Sequence, residues 1–450
     1  MSFNTISFMF LFFPVSLVLY IVLPRKIRPA LMIILSLLFY SWGDIRHIVV
    51  LLFSILFNYL SGLQIWERLL RGQRGAARAT VWLAVAVDVL VLCVYKYLSR
   101  SLPLGLSFYT FSVISYILDV YRGRARGEKN VLRLALYVSF FPKLVSGPIV
   151  QYASFREQLD DCAPTKEGVF EGAELFLAGL FKKVLLADNL GRVYSAIAGM
   201  GSVSVATAWM GVIFYCLQLY FDFSGYSDMA IGLGRMFGFR LDKNFDYPFT
   251  SRSMGEFYRR WHMTLGAWFR EYVYIPLGGS RCSVPKQIRN ILIVWTLTGL
   301  WHGSTLNYLA WGLITGVVVL LEKYVVRDRL DGVPGILRSF FTNLIFVLTL
   351  AFFSASSLGG GFETLGQMLG AGRMGFWDST ASYYFANNLI LLLAAILFST
   401  PIVRTIQENL LVKFPRGVIT VSAAIYGLLL AFSIAGMVNA TYSSFLYFQF

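Results

Sequence analysis

Two of the chain's three histidines carry its strongest chemical signal. His302 ends the long apolar run 291–302, and His262 follows the sequence Arg-Arg-Trp earlier in the chain. An ionisable side chain at membrane depth costs desolvation energy, so its presence there indicates function. A neutral imidazole can also take a proton near pH 7. The sequence therefore predicts proton-transfer chemistry, with His302 as the first candidate and His262 as the second.

Each histidine also has a structural interpretation. His302 could instead be a buried histidine bonded to a carbonyl, in a helix contact that Gly299 and Gly303 would permit by their four-residue spacing. The desolvation cost makes function the favoured interpretation there. His262 lies beside arginines on a predicted interfacial helix, where an exposed histidine is unremarkable, so its two interpretations are evenly balanced.

Other residues could bind substrate. Arg259 and Arg260 could bind lipid phosphate or the phosphates of an acyl-CoA, and lipid binding is slightly favoured. Asp222 and Asp228 flank Ser-Gly-Tyr-Ser in an apolar stretch, which predicts a break or a re-entrant turn that lines a cavity. Pairing with an arginine or a backbone N–H is the favoured role of these carboxylates. Three further residues are predicted to bind substrate. Trp261 and Trp301 directly precede the two histidines, and Asn307 would extend a polar strip beyond His302.

The composition places these residues in a membrane. Apolar residues make up 57% of the 450 residues, charged residues only 14%, and the mean hydropathy is +0.64. The predicted fold is all-α, with about 11–13 transmembrane or re-entrant helices around a central tunnel. Spans are predicted at 6–24, 28–43, 47–63, 79–98, 104–121, 131–150, 170–198, 205–237, 288–302, 305–323, 338–355, 384–401 and 416–437. Because glycine, proline and polar residues are frequent between 134 and 240, some of these spans must be broken.

Charge predicts the orientation. The loops with Arg25–Arg28, Arg68–Arg78 and Arg122–Lys129 are basic, whereas the turns between them are nearly uncharged. By the positive-inside rule the N-terminus lies outside and the basic loops lie in the cytoplasm. No cleaved signal peptide is expected. This positive-inside bias, with attraction to anionic lipid or an anionic cytosolic substrate, accounts for the net charge of +15. Nucleic-acid binding is not predicted.

The chain is predicted to be one membrane domain, 1–450. It comprises N-terminal helices over 1–133, a catalytic core over 134–323 and C-terminal helices over 324–450. Within the core, Ser253 and Glu256 form a capping box, and apolar residues at spacings of three and four predict an amphipathic interfacial helix over 253–275.

Several other chemistries find no signal. Cys93, Cys162, Cys216 and Cys282 lack metal-ligand spacing, so neither a metal site nor a disulfide framework is predicted. A P-loop, a dinucleotide fingerprint and a nucleophile elbow are absent from the sequence. A transporter or flippase is the alternative from another class, because transporters share broken helices and intramembrane carboxylates. No inverted repeat supports it.

Four blocks resemble a known family. They are Phe140–Tyr152, Asp222–Gly234, Arg259–Gly279 and Leu297–Gly303, with Leu104–Phe111 and the C-terminal Phe445–Phe450 in support. Together they look like the membrane-bound O-acyltransferase family, in its bacterial branch similar to the membrane subunit of alginate O-acetyltransferase. The resemblance covers nearly the whole chain, although the chain is somewhat short in its last third.

The resemblance implies a reaction. An acyl group, most simply acetyl from acetyl-CoA, would pass from a cytoplasmic thioester donor to a hydroxyl acceptor outside, and no permanently bound cofactor is needed. The family's essential histidine falls on His302, and His262 would lie near the same tunnel. Implied partners are membrane lipids and an extracytoplasmic acetyltransferase or carrier acting on an exported polysaccharide, at the bacterial cytoplasmic membrane. D-alanyl transfer to teichoic acid and O-acetylation of peptidoglycan are the alternatives within the class.

Overall fold

A computed structural model describes residues 2–99, 101–159, 163–326, 329–330, 332–372 and 374–439. Throughout these ranges the regular secondary structure is helical, which confirms the all-α prediction. Cys162 and the C-terminal block Phe445–Phe450 lie outside the described residues. The described residues divide into two compact units, the first formed by those of 2–179 and 226–243 and the second by those of 180–225 and 244–439.

Length and composition identify the helices that can cross a membrane. Seven described helical runs have at least 18 residues and a strongly apolar window. They are Arg28–Leu70, Arg74–Leu98, Val205–Met236, Leu306–Val326, Gly335–Phe353, Ser379–Phe398 and Gly417–Val438. A helix of about 20 residues spans the 30 Å hydrocarbon core of a bilayer. The chain is therefore a multi-pass membrane protein, as its composition predicts.

The first unit is built from helices that follow the predicted N-terminal spans. Its helices are Phe13–Val22, Arg28–Asp44, Ile48–Leu70, Arg74–Cys93, Leu106–Tyr121, Val131–Ser139, Phe141–Leu144 and Tyr152–Gln158, and Lys166–Phe181 begins in it. Buried aromatic rings fill part of its core, where Phe8 lies 6.0 Å from Phe39 and 6.4 Å from Phe141 between ring centroids.

The predicted single span over 131–150 is wrong. The helix Val131–Ser139 ends at Phe140, a short helix follows over Phe141–Leu144, and the backbone then leaves helical geometry through Gln151. At Gly147 a Cβ atom would lie 2.4 Å from the Cα atom of Lys143, so only glycine fits this turn. Gly147 and Pro148 therefore mark a break in the helical backbone.

The second unit contains both candidate histidines. Its helices are Asp188–Ala198, Met254–Arg260, Met263–Phe269, Val284–His302, Leu306–Leu321, Gly335–Phe353, Leu358–Met368, Ser379–Phe398, Ile402–Lys413 and Pro415–Val438, together with the first part of Val205–Met236. The helical run from Lys166 to Ala198 widens to π geometry over Lys182–Ala187, where Lys183 is buried. We call Val284–His302 the His302 helix.

The break predicted between Asp222 and Asp228 is absent. Val205–Met236 is one continuous helix of 32 residues that passes through both positions. Its candidate span is 78% buried, so neighbouring protein surrounds the serines and glycines that would weaken an isolated helix. Asp222 gains a buried lysine partner, and its charge therefore does not require a water-filled turn.

The predicted helix over 253–275 is divided at His262. Met254–Arg260 and Met263–Phe269 are separate helices, and His262 between them has a positive φ of 47°. The Ser253 half of the capping box is confirmed, since the Glu256 N–H donates to Ser253 Oγ at 2.9 Å, whereas the Glu256 carboxylate accepts the N–H of Arg252, one residue before the N-cap, at 2.9 Å. The apolar spacing of three and four continues through the break because both helices bury apolar side chains, so the pattern could not reveal the break.

Small residues hold the His302 helix against the helix Leu306–Leu321. A Cβ atom on Gly299 would lie 2.6 Å from the Tyr308 carbonyl oxygen, and one on Gly303 would lie 2.1 Å from the Tyr308 ring. On the opposite helix, a Cβ atom on Gly312 would meet the Trp295 carbonyl oxygen at 2.5 Å. The close contact predicted from the glycine spacing is confirmed, and it fixes the helix that carries His302.

We expect Gly299→Ala to destabilise the protein by about 1–3 kcal/mol, because the new methyl group meets backbone that cannot rotate away. The midpoint of thermal unfolding in detergent measures this. Gly427→Ala is the matched control, since Gly427 is also in a helix and a Cβ atom there would have open space around it. Equal stability of the two variants would show that the contact can relax.

Candidate active site

A cavity of about 290 Å³ in the second unit is lined by both His262 and His302. Along the His302 helix its lining residues run from Ile291 to His302, which corresponds to about 16 Å at 1.5 Å per residue. The cavity is therefore elongated. Its walls are mostly apolar, and the other residues that line it are Tyr258, Trp261, Leu265, Gly266, Phe269, Arg270, Tyr274, Val294, Trp295, Thr298, Trp311 and Val319.

His302 is buried among aromatic rings at the C-terminal end of its helix. The centroids of Trp311 and Phe353 lie 5.1 Å from its ring, both in edge-on arrangements, and that of Trp301 lies 4.7 Å away. Such a cage restricts rotation of the imidazole and limits access of water. A proton acceptor held in this way needs little reorganisation at the moment of reaction.

His262 is also buried, so the interpretation of it as an exposed interfacial histidine is wrong. Its Nδ1 lies 3.0 Å from Asn244 Oδ1, and its ring packs edge-on against Phe223 at 4.6 Å. Burial lowers the pKa of His262 to about 3. The imidazole is therefore neutral throughout the physiological pH range.

Tryptophan links the two histidines. The Trp301 ring centroid is 6.1 Å from that of His262 and 4.7 Å from that of His302. Trp261, next to His262, is buried against Phe257 and Phe346, and it lines the cavity. The structure thus brings both predicted tryptophans to the two predicted histidines.

The predicted arginines do not line this cavity. Arg259 is exposed, and Arg260 pairs with Glu256 at 2.8 Å on its own helix. Arg270, which was not among the predicted site residues, lines the cavity and is exposed, so a charged group lies at the accessible part of the cavity. The break at His262 changes the direction of the chain. The helical periodicity therefore could not indicate that Arg270 lines the cavity and that Arg259 and Arg260 do not.

Asp222 pairs with a buried lysine. Lys183 Nζ lies 2.8 Å from Asp222 Oδ1 and 2.7 Å from Asp188 Oδ1, and all three residues are buried. Structural pairing, the favoured role for this carboxylate, is confirmed, although the cation is a lysine and not an arginine. Asp222 does not line the cavity, but the next residue, Phe223, packs on His262.

Asp228 and Asn307 are placed elsewhere. Asp228 belongs to the first unit. The buried Asn307 side chain donates to the carbonyl oxygens of Phe352 at 3.2 Å and Ala355 at 2.8 Å. It thereby holds the end of the helix that supplies Phe353 to the His302 cage. Helix packing accounts for Asn307, and a contact with substrate is not needed to explain it.

The described residues contain no group of three or more His, Cys, Asp or Glu side chains that could hold a metal ion. Cys93, Cys216 and Cys282 are free thiols, and none of them lines the cavity. The chemistry available at this site is therefore that of two imidazoles in a narrow, mostly apolar cavity with a guanidinium group at its exposed part.

Comparison with known proteins identifies the class. The model of the membrane-bound O-acyltransferase family matches residues 33–329, which include both candidate histidines. The chain belongs to this family. It is an O-acyltransferase of the membrane, and its reaction uses an acyl donor as co-substrate. The resemblance found in the sequence is confirmed.

Particular relatives are similar over most of the chain. A relative named "Probable alginate O-acetylase AlgI" from Pseudomonas aeruginosa is 37% identical over 380 residues, covering 80% of this chain and 73% of that protein. A peptidoglycan O-acetyltransferase of Helicobacter pylori is 33% identical over 426 residues, covering 82% and 80%. A teichoic acid D-alanyltransferase of Streptococcus thermophilus is 28% identical over 248 residues, covering 50% and 58%.

Proposed function

We propose that this protein transfers an acetyl group from acetyl-CoA to a hydroxyl acceptor for the modification of an exported polysaccharide. The observation that carries the proposal is an elongated cavity that both His262 and His302 line. Its apolar walls suit an acyl thioester and its pantetheine arm. Arg270, at the exposed part, suits the phosphates of coenzyme A.

The reaction has a simple proton balance. The acceptor oxygen attacks the thioester carbonyl carbon, so that a C–O bond forms and the C–S bond breaks. The hydroxyl proton passes to an imidazole and then to the departing thiolate, which leaves as free CoA thiol. We assign His302 as the residue at which this transfer takes place, and His262 as the second catalytic candidate. Neither step requires a metal ion or a covalent acyl-enzyme.

The choice of acetyl group and polysaccharide follows the relatives. The alginate O-acetylases resemble this chain at 35–37% identity over about four-fifths of its length, whereas the teichoic acid D-alanyltransferases match about half of it. Peptidoglycan O-acetylation is the second candidate, because the Helicobacter pylori relative covers a similar share of the chain. D-alanyl transfer from a carrier protein is the third.

Charge supports the direction of transfer. Arg281, Lys286 and Arg289 precede or begin the His302 helix, and His302 ends it. By the positive-inside rule the beginning of this helix faces the cytoplasm, so the donor would enter there. We therefore place the protein in the bacterial cytoplasmic membrane. An extracytoplasmic acetyltransferase or carrier would receive the acetyl group.

The test is release of free CoA thiol from acetyl-CoA by the purified protein in detergent. Radiolabelled acetyl groups are followed at the same time onto an added hydroxyl-bearing oligosaccharide. We expect thiol release and label transfer by the wild type, and neither by His302→Ala. Peptidoglycan fragments, and a D-alanyl carrier thioester as donor, are tested in parallel.

Each outcome has a distinct meaning. Label on peptidoglycan fragments alone would replace the proposed acceptor with the second candidate. Turnover of the carrier thioester alone would replace the donor. Thiol release by both proteins would show that His302 has no catalytic role.

A further inference from the structure

One buried side chain contacts the His262 ring at hydrogen-bonding distance. Asn244 lies 18 positions before it in the sequence and meets its Nδ1 at 3.0 Å. Asn244 is 1% exposed, and its backbone carbonyl accepts the N–H of Met263 at 2.9 Å. The same residue therefore holds both the imidazole and the start of the following helix.

The hydrogen bonds identify the Asn244 atom that faces the histidine. The backbone N–H of Thr264 donates to Asn244 Oδ1 at 3.3 Å, and the Thr264 hydroxyl donates to it at 3.0 Å. A backbone N–H can only donate, so this atom is the amide oxygen and cannot be the nitrogen. The amide oxygen can only accept, and His262 Nδ1 must therefore carry the hydrogen that joins them.

In a neutral imidazole, a hydrogen on Nδ1 leaves the lone pair on Nε2. We propose that Asn244 is a positioning residue that holds His262 in the Nδ1–H form, so that Nε2 accepts a hydrogen bond from the acceptor, at a hydroxyl beside the one whose proton passes to His302, and does not donate to the thioester carbonyl. This inference rests on the proposed function. It assigns His262 to the acceptor side of the reaction.

The surroundings of His262 favour an amide over a carboxylate as its partner. Phe223 and Trp301 contact the ring, and the titratable or charged side chains that share its cavity are Tyr258, Arg270, Tyr274 and His302. A carboxylate in place of Asn244 would stabilise the imidazolium and trap the proton. A neutral amide fixes the orientation and keeps the imidazole uncharged.

The form of His262 can be measured without any turnover. The chain has three histidines, so protein labelled with ¹⁵N-histidine and placed in a lipid bilayer gives few ring signals. Loss of signals in His262→Gln assigns those of His262. Solid-state NMR at pH 7 should then show Nδ1 protonated and Nε2 unprotonated. A hydrogen on Nε2 would overturn the inference, whether or not the protein turns over acetyl-CoA.

Kinetics test whether this form matters. We expect Asn244→Leu to lower kcat about 10- to 100-fold with little change in the KM for acetyl-CoA, by analogy with residues that orient metal-bound histidines. Asn244→Asp keeps an acceptor for Nδ1 and should recover part of the rate. It should also raise the pKa of His262, so that activity falls at acidic pH where the wild type shows no such loss.

Asn343→Leu is the matched control. Asn343 ties its helix to the Phe249 carbonyl oxygen at 2.8 Å, in the same segment as Asn244, and it does not contact a histidine in the described contacts. It should keep the pH profile of the wild type. An equal loss in Asn343→Leu, or an Asn244→Asp variant with the activity and pH profile of Asn244→Leu, would reduce Asn244 to a structural tie. Absence of turnover in the wild type would contradict the proposed function and leave the NMR result to decide the form of His262.

Discussion

His302→Ala is expected to lower the rate of acyl transfer about 10²- to 10⁴-fold, the usual contribution of a positioned proton acceptor. His302 lines the cavity and is held by the rings of Trp301, Trp311 and Phe353. Its removal enlarges a cavity that already exists, so we expect expression and thermal stability in detergent close to those of the wild type. Initial rates of CoA thiol release measure the effect.

His302→Gln is the companion variant. Glutamine is also polar and can hydrogen-bond, but it cannot take a proton near neutral pH. We expect it to be as inactive as His302→Ala while it binds a non-transferable thioether analogue of acetyl-CoA with the affinity of the wild type. Activity within tenfold of the wild type in His302→Gln would make His302 a hydrogen-bonding residue. Activity lost only in proportion to unfolded protein would make it a packing residue.

Lys183→Met is expected to have the largest effect on stability. The variant leaves Asp188 and Asp222 buried without their shared cation, and loss of one partner from a buried ion pair typically costs about 3–5 kcal/mol. The protein should accumulate poorly, and its midpoint of unfolding in detergent should fall well below that of the wild type. Lys166→Met, which removes an exposed lysine, should change stability by about 0.5 kcal/mol or less.

A compensated variant tests the cause. When Lys183→Met is combined with Asp188→Asn and Asp222→Asn, no uncompensated charge remains in the cluster, and we expect most of the lost stability to return. If the triple variant is as unstable as Lys183→Met, the lysine stabilises the π-helical turn by packing. The acyl-transfer rate of the triple variant shows whether the cluster also affects the active site, because Phe223, next to Asp222, packs on His262.

Some properties of this protein follow from the sequence alone. Composition and apolar run length predict an all-helical membrane protein, because the bilayer demands long apolar helices with satisfied backbone groups. The cost of a buried imidazole identifies His302. Gly299 and Gly303 predict a close helix contact because four-residue spacing places both on one face. Each of these inferences depends on neighbours in sequence or on the solvent, and the structure agrees with them.

Other properties were decided by tertiary contacts. Apolar periodicity predicts one helix through His262, but Asn244 bonds the imidazole and the next two backbone N–H groups where the chain turns. Serine and glycine predict a break after Asp222, yet burial and a lysine from another helical segment keep that helix continuous. The break at His262 also explains why Arg270 lines the cavity and the predicted Arg259 and Arg260 do not. These outcomes depend on partners distant in sequence. Such contacts contribute more free energy than the local secondary-structure propensities on which a sequence pattern depends.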